Sequence, residues 1–365
     1  MILVFFLGII FAVVIWNFFY YKFWNRQLRA ELYFLQPYAY EGEEVKLHEV
    51  IENRKRFPIP ILEVAFHLKK ELMFREMENA SVSDQVYKRD VYALLGRQRI
   101  TRTLVVDCTK RGYYEVDTMH FTAHSLLYDR FYTMDQKIKA SLYVYAKRTD
   151  VSKCMLLSEK LMGMQQCARY LYEDPFEFAS IREYNITDSM KSINWKASAK
   201  TGGLMVNTYD STRNVCVMFY LDLEDSGILK QERLIEESIS IAATMAQKYI
   251  ARGMEVGLSI NVLEKEESLC LEPKRGNGQL EWIEQALACR RENETYVELS
   301  EILQGAPKDC IHIIISKNIL KNQAAICEFL RTESSGIWIV PIKKGEDQAV
   351  PRIKGIQICG KEVEA

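Results

Sequence analysis

The sequence predicts an α+β multidomain chain with an N-terminal transmembrane helix, an antiparallel β-sandwich-like domain and a doubly wound α/β domain. Three observations carry this prediction: an uncharged apolar run at the N-terminus, period-two alternation in the first half, and alternating strand and helix patterns after residue 204. We expect the helix at 1–24, the β domain at 30–148, a linker with a dense motif at 149–203, and the α/β domain at 204–365.

The N-terminal run MILVFFLGIIFAVVIWNFFYY places 21 residues before the first charge, Lys22. As a helix, about 20 apolar residues span a hydrocarbon core of about 30 Å. Lys22, Arg26 and Arg29 all follow the run, and positive charges mark the cytoplasmic side. We therefore expect single-pass attachment to the cell membrane through lipid contacts of this helix, with cytoplasmic soluble domains. The alternative, a cleaved signal peptide, would need a basic start and a small-residue cleavage site, which this run lacks.

Composition narrows the partners. The 365 residues carry a formal net charge of −1, so no overall field attracts nucleic acid, and we expect no nucleic-acid partner. Nine cysteines are scattered without a C-x-x-C pair. We interpret them as reduced thiols in a reducing compartment, since a disulfide framework is typical of small secreted chains.

Alternation in the first half indicates half-buried strands. PILEVAFHL and KIKASLYVYA place apolar residues at every second position, with polar residues between many of them. Several short strands separated by turn residues are typical of a small β-sandwich. Residues 71–90 are charged and polar, and we expect a long loop there.

The second half alternates between strand and helix patterns. CVMFYLD is a nearly continuous apolar run, as in strands buried on both faces of a parallel sheet. An amphipathic helix over 231–252 follows and ends at Gly253. EVGLSINV, QLEWIEQALA, IHIIIS, NILKNQAAICEFL and GIWIVPI then alternate, which favours a doubly wound sheet with right-handed crossovers.

A dense motif, IREYNITDSMKSINWKASAKTGGLMVN, precedes this domain at 181–207. Asp188 suits an N-cap and Gly202 suits a helix end, so we expect a helix of about three turns over 189–200. One stripe of that helix would dock on the body through Met190, Ile193 and Ala197. The other stripe would face water or a partner through Ser192, Lys196 and Lys200. The alternative is an ordinary surface helix with solvated lysines.

The stretch EFASIREYNITDSMKSINWKASAKTGGLMV resembles the signature of the domain of unknown function 58 family. The matching positions are Glu177, Phe178, Arg182, Tyr184, Asp188, Ile193, Trp195 and Ala199. The departures are Thr187 for a glycine, and Lys191 and Lys200 for arginines. A K-R-G-x-Y element at 110–114 extends the resemblance into the first half.

The resemblance implies a C-terminal domain like the von Willebrand factor A fold, and it implies a MoxR-type AAA+ ATPase as protein partner. It also marks the motif as a candidate interaction site. The motif residues concerned are Arg182, Tyr184, Asp188, Lys191, Trp195, Lys196 and Lys200.

A second candidate site follows CVMFYLD, where A-type domains hold a metal motif. The matching residues here are Asp222, Glu224 and Ser226. Lys317 follows the strand that would normally deliver another aspartate, so we hypothesise that its ammonium replaces the metal and neutralises Asp222. We therefore expect no cofactor, with Mg²⁺ bound through the acidic cluster as the alternative.

These patterns favour a membrane-anchored, non-enzymatic interaction protein without catalytic residues. We expect Arg182 to pair with a carboxylate across a domain junction and Trp195 to fill that junction. The alternative is a hydrolase of cell-envelope or peptide substrates that uses carboxylates such as Glu183 and Asp188.

Overall fold

The chain is a mixed α/β protein with two compact units, residues 1–147 with 284–292 and residues 148–283 with 293–365. For residues 2–6, 9, 10, 12 and 164–170, among others, the structure describes the backbone only. The computed structural model describes residues 2–75, 80–83, 85–125, 130–170, 178–185, 188–209, 216–225, 227, 230–264, 267–290, 295–308, 310–333, 336–345 and 350–363.

The N-terminal run forms helix α1 (Ile2–Phe23). Its last turn packs on the first unit, where Tyr20 and Trp24 join the hydrophobic core. The Lys55 ammonium donates to the Phe23 carbonyl at 3.1 Å, which places a cation at the negative end of the helix dipole. Within the described residues, no helix is both long and apolar enough to cross a membrane.

The first unit consists of two sheets around one core, as the β-sandwich prediction expects. The sheet orders are β1-β3-β8-β5 and β2-β10-β9-β4-β7-β6 among the described residues. The strands are β1 (Leu28–Phe34), β2 (Tyr38–Tyr40), β3 (Glu44–Asn53), β4 (Ile59–Lys69), β5 (Leu72–Phe74), β6 (Ala80–Val82), β7 (Gln85–Leu94), β8 (Gln98–Cys108), β9 (Gly112–His124) and β10 (Phe131–Tyr145).

The expected loop at 71–90 was wrong, because β5, β6 and the first half of β7 occupy most of it. Strand β7 alternates in burial, but two of its inward positions carry the charged residues Lys88 and Asp90. Arg102 on β8 forms an ion pair with Asp90 at 2.8 Å. The Tyr92 hydroxyl donates a hydrogen bond to the Glu49 carboxyl group on β3 at 2.7 Å. A cluster of buried charges thus bridges the two sheets.

The K-R-G-x-Y element begins β9 and has a structural role. The Tyr114 hydroxyl donates to the Lys110 carbonyl at 2.7 Å, and a Cβ at Gly112 would lie only 2.9 Å from the Tyr114 ring. The buried Arg111 guanidinium donates to the carbonyls of Leu287 at 2.7 Å and Arg290 at 3.0 Å, in the segment 284–292 of the same unit. A cation at these carbonyls stabilises the end of a helix.

The second unit alternates helices and strands in the predicted order. Its helices are α2 (Ser152–Tyr170), α3 (Trp195–Thr201), α4 (Glu232–Ala251), α5 (Asn277–Ala288, which ends in the first unit), α6 (Leu299–Gln304) and α7 (Ile319–Glu333). Its strands are β11 (Phe178–Glu183), β12 (Met205–Tyr209), β13 (Cys216–Leu221), β14 (Glu255–Glu264), β15 (Glu267–Lys274), β16 (Cys310–Ile315), β17 (Gly336–Lys343) and β18 (Gln357–Val363).

The main sheet of this unit has the order β15-β14-β13-β16-β17-β18 in the described part of the chain. All neighbours pair in parallel except β15, which is antiparallel to β14. Helices α6 and α7 pack on the face that carries Tyr220 and Trp338. Phe219, on the opposite face, contacts Tyr249 of α4. The sheet is therefore covered on both sides, which explains the continuous apolar run of β13.

The interpretation of every cysteine as a reduced thiol was wrong. Cys216 and Cys310 face each other across the neighbouring parallel strands β13 and β16 and form a disulfide, with their Cα atoms 4.6 Å apart. The two residues are 94 positions apart in sequence. Only the strand register brings them together, so spacing along the chain could not indicate the bond.

Candidate functional site

The family motif forms a small substructure that we call the signature hairpin, residues 178–209. Strands β11 and β12 pair antiparallel, and between them lie a short 3₁₀ turn (Met190–Ser192) and helix α3. A two-stranded hairpin alone is marginally stable in water, so further bonds must hold it together. Polar side chains inside the hairpin supply them.

Asn194 and Ser198 form the centre of this internal network. The Asn194 side chain accepts from the Ala197 N–H at 3.0 Å as the N-cap of α3 and donates to Asn207 of β12 at 2.7 Å. The Ser198 hydroxyl donates to the Asn194 carbonyl at 2.8 Å and accepts from the Met205 N–H at 2.8 Å. The sequence analysis missed both residues, although an Asn directly before a helix, as Asn194 is, is a common N-cap signal.

The expected three-turn helix with Asp188 as its N-cap was wrong. The 3₁₀ turn is capped by Ser189, and the helix proper begins only at Trp195. The chain between them is extended because Ile193 forms a β-bridge with Val206. The predicted end was confirmed, since Gly202 adopts the left-handed conformation at φ 71°.

Arg182 and Asp188 form a bidentate ion pair within the hairpin. The guanidinium Nη1 and Nη2 lie 2.6 Å from the two carboxylate oxygens, and the Asn185 N–H donates to the same carboxylate at 2.8 Å. The hydrogen bonds from Arg182, followed by that from Asn185, hold the pKa of Asp188 below its usual value. The carboxylate that binds Arg182 therefore belongs to the motif itself. The sequence had led us to expect a carboxylate from across a domain junction instead.

This pairing leaves Asp188 poorly suited to the hydrolase alternative. A general base must exchange a proton near neutral pH, whereas this carboxylate stays ionised and bound to a guanidinium. One cavity of about 450 Å³ lies elsewhere in the second unit and is lined by Lys230, Gln231, Glu232, Arg233, Leu234, Lys343 and Val363.

The hairpin exposes large apolar side chains and cations. Trp195 is 68% exposed and Met190 is 71% exposed, with Ile181 and Leu204 also exposed. The predicted docking of Met190 on the body of its own unit was wrong, since its side chain is exposed. Tyr184 is half-buried, and its N–H donates to the Leu204 carbonyl at 2.9 Å.

Three lysines accompany this apolar surface: Lys191, Lys196 and Lys200 are all exposed. Over the described residues, no carboxylate forms an ion pair with any of them. The matches and departures at Glu177 and Thr187 lie outside the described residues.

The second candidate site lies where the sequence predicts it, at the carboxyl ends of β13 and β16. Asp222 is buried, and its carboxylate is surrounded by donors that are all uncharged. The donors are the Glu224 N–H at 3.1 Å, Asn261 Nδ2 at 2.7 Å, Ser316 Oγ at 2.7 Å, Asn318 Nδ2 at 3.0 Å and Asn322 Nδ2 at 2.6 Å. Hydrogen bonds to neutral groups can compensate a buried anion.

The hypothesis that Lys317 neutralises Asp222 was wrong. The Lys317 ammonium is buried and bonds to Asp225, and Lys321 of α7 bonds to both carboxylate oxygens of Glu224 at 2.8 and 2.6 Å. Burial opposes the ionisation of Asp225, but the Lys317 ammonium and the Gln231 N–H outweigh it and lower its pKa. Two lysines therefore occupy the acidic residues that a cation would need.

Within the described residues, no group of three or more metal-binding side chains comes together. Ser226, the third predicted ligand, lies outside them. Asp222, Glu224 and Asp225 each accept hydrogen bonds from protein donors, and these donors compete with a cation for the carboxylate oxygens.

Comparisons with curated proteins and with solved structures give only weak likenesses. No curated protein matches the chain. A cohesin from Archaeoglobus fulgidus has 8% identity over 35% of this chain and 96% of its own, with a TM-score of 0.22. A CARDB domain from Pyrococcus furiosus has 13% identity over 32% and 93%, with a TM-score of 0.20. An alpha-2-macroglobulin from Escherichia coli has 16% identity over 46% and 9%, with a TM-score of 0.24.

These likenesses to solved structures are too low to carry an argument. The family described as "Protein of unknown function DUF58" matches residues 180–364, which cover half of the chain and include most of the signature hairpin and the main sheet of the second unit. The chain belongs to the domain of unknown function 58 family.

Proposed function

We propose that this protein is a membrane-anchored, non-enzymatic interaction component that binds a protein partner through its signature hairpin. The observation that carries the proposal is the 68% exposed Trp195 beside exposed lysines that pair with no carboxylate in the described part of the chain, on a hairpin held rigid from within. Exposed tryptophans are costly in water and are enriched among the residues that dominate binding energy.

Rigidity supports the same function. The Arg182–Asp188 pair fixes the start of the hairpin, and the network around Asn194 fixes α3 on β12. A surface that is already ordered loses less conformational entropy on binding, so more of the contact energy appears as affinity. The buried Ile193 anchors the chain between the two exposed apolar residues Met190 and Trp195.

Charge indicates the chemistry of the partner surface. The hairpin carries four basic residues against two acidic ones, and Arg182 is already paired with Asp188. Lys191, Lys196 and Lys200 are left to meet an acidic surface, where complementary charge speeds association and excludes wrong partners. The partner class we propose is a MoxR-type AAA+ ATPase, which the family resemblance implies.

The anchor in this proposal is the N-terminal run. Residues 2–21 of this uncharged run form most of helix α1, and the basic residues Lys22, Arg26 and Arg29 follow the run. By the positive-inside rule, this arrangement favours a single pass through the cell membrane with both units in the cytoplasm. The β unit would then act as a spacer between the anchor and the hairpin.

The second unit has the proposed role of a von Willebrand factor A-like domain. In support, its strands follow the order 3-2-1-4-5-6 with the third strand antiparallel. At the carboxyl end of β13, Lys317 and Lys321 already pair with the acidic side chains. This favours binding to a protein without a bridging cation.

A pull-down from detergent-solubilised membranes tests the proposal. We expect wild-type protein to enrich a MoxR-type ATPase, and we expect Trp195→Ala and the double variant Lys196→Glu/Lys200→Glu to reduce that enrichment at least about tenfold. The matched control is Leu320→Ala, since Leu320 is an exposed apolar residue on α7 of the same unit. Equal recovery with all variants, or no ATPase with the wild type, would contradict the proposal.

A further inference from the structure

Two buried cysteines lie in contact in the second unit, apart from the disulfide already described. Cys154, in the first turn of α2, and Cys359, in the edge strand β18, have their sulfur atoms 3.0 Å apart. Both side chains are buried. A disulfide bond is about 2.05 Å long, so about 1 Å of movement separates this contact from a covalent bond.

The surroundings of the pair are cationic. Lys361 is two positions along β18 from Cys359, and its ammonium donates to the Asp150 carbonyl at 2.6 Å, just before α2. Lys153 adjoins Cys154 in the chain. Because a thiolate is the reactive form of cysteine, nearby ammonium groups favour its reaction.

The two sulfurs are not equivalent. The hydrogen bond with Cys154, then the charges of Lys153 and Lys361, outweigh burial and lower the pKa of Cys359. The same hydrogen bond, together with burial, raises the pKa of Cys154. Residues two apart on a strand share a face, so Lys361 lies on the same face of β18 as Cys359, and we take Cys359 as the attacking thiolate and Cys154 as the resolving thiol.

We propose that Cys154 and Cys359 form an oxidative modification site, which a hydroperoxide converts into an intrachain disulfide. The Cys359 thiolate attacks one peroxide oxygen, the O–O bond breaks, and the departing oxygen takes a proton and leaves as water. Cys154 then loses its proton and attacks the resulting sulfenic sulfur, and its sulfur displaces the hydroxyl, which leaves as a second water. Two thiols and one H₂O₂ give one disulfide and two waters.

The bond would fasten the start of α2 to the edge of the main sheet. Helix α2 packs against β17 and β18, and its Ser158 bonds to Tyr249 of α4. The two cysteines are 205 residues apart, so the crosslink closes a long loop of the unfolded chain. The Cys216–Cys310 disulfide already links β13 to β16. The new bond would add a second crosslink, between β18 and helix α2, which precedes the signature hairpin.

The test uses the purified full chain in detergent. The chain is treated with H₂O₂, quenched, unfolded and alkylated, and then analysed by intact mass and peptide mapping. We expect a peptide that joins Cys154 to Cys359, with two hydrogens lost from this pair and neither of its sulfurs alkylated. The unfolding midpoint of the second unit should rise by roughly 5–10 °C.

Variants assign the roles. Cys154→Ser should leave a sulfenic acid at Cys359 that a dimedone probe traps, whereas Cys359→Ser should leave Cys154 unmodified. Cys270→Ser is the control, because Cys270 is an exposed thiol on β15, and it should form the crosslink like the wild type. If Cys154 and Cys359 are both alkylated after a peroxide dose that oxidises Cys270, the proposal is overturned.

Discussion

Replacing Asp222 by alanine is expected to lower the free energy of unfolding of the second unit by about 3–5 kcal/mol. Asp222 is 1% exposed, and its carboxylate accepts hydrogen bonds from Asn261, Ser316, Asn318 and Asn322. Its removal leaves several donors unpaired, and each buried unsatisfied group costs about 1–3 kcal/mol. Hydrogen exchange at the amides of β13 and β16 measures the loss within this unit alone.

The control for Asp222→Ala is Lys321→Ala, which breaks the exposed pair with Glu224. That pair lies near the same sheet edge, but exposed ion pairs contribute at most about 1 kcal/mol. Equal small losses for both variants would mean that Asp222 does not organise the edge. Stabilisation of the wild-type chain by Mg²⁺, absent from Asp222→Ala, would show that the edge binds a cation after all.

The first unit is expected to lose stability as the pH rises from 5 to 8, by on the order of 3 kcal/mol from Glu49 alone. Burial, with a smaller contribution from Asp90, raises the pKa of Glu49 from 4.5 to about 7. Between these values the folded unit keeps a proton that the unfolded chain releases. The stability from the protonated carboxyl is therefore fully present below pH 4.5 and is lost through pH 7.

Glu49→Gln separates this contribution from the rest. The amide has the same shape and no charge, so the stability of this variant should no longer fall between pH 5 and 8 through this position. Glu44→Gln is the control, because Glu44 lies at the exposed start of the same strand β3. Urea unfolding at several pH values, monitored by hydrogen exchange at the β3 amides, gives the change of unfolding free energy with pH for each variant. An unchanged slope in Glu49→Gln would contradict the buried-acid account.

Alternating strands and the order of the α/β unit could be predicted from sequence, because burial on one face or on both faces leaves a direct periodic signal. PILEVAFHL lies in β4, and KIKASLYVYA ends β10. Strand β7 could not be predicted in the same way. Its inward residues Lys88 and Asp90 are charged, so burial along β7 does not follow the order of apolar and polar residues. The contacts that hold its inward side chains, Asp90 with Arg102 on β8 and Tyr92 with Glu49 on β3, form only when the two sheets pack.

In the candidate site, the sequence identified the residue types but not their partners. Asp188 looked like an N-cap, yet the bidentate contact with Arg182 is the stronger use of its carboxylate. Lys317 was placed at the correct sheet edge, but the turn after β13 brings Asp225 to it and leaves Asp222 to neutral donors. Such choices depend on loop geometry at the level of single residues, which periodicity does not encode.

The most direct test of the central claim is a photocrosslink in native membranes from a benzoylphenylalanine placed at position 195, compared with one at position 320. Both positions carry exposed apolar side chains in the same unit, but only Trp195 belongs to the signature hairpin. The account predicts a covalent adduct with a MoxR-type ATPase from position 195 and none from position 320. No protein adduct at position 195, or the same adduct from both positions, would contradict it.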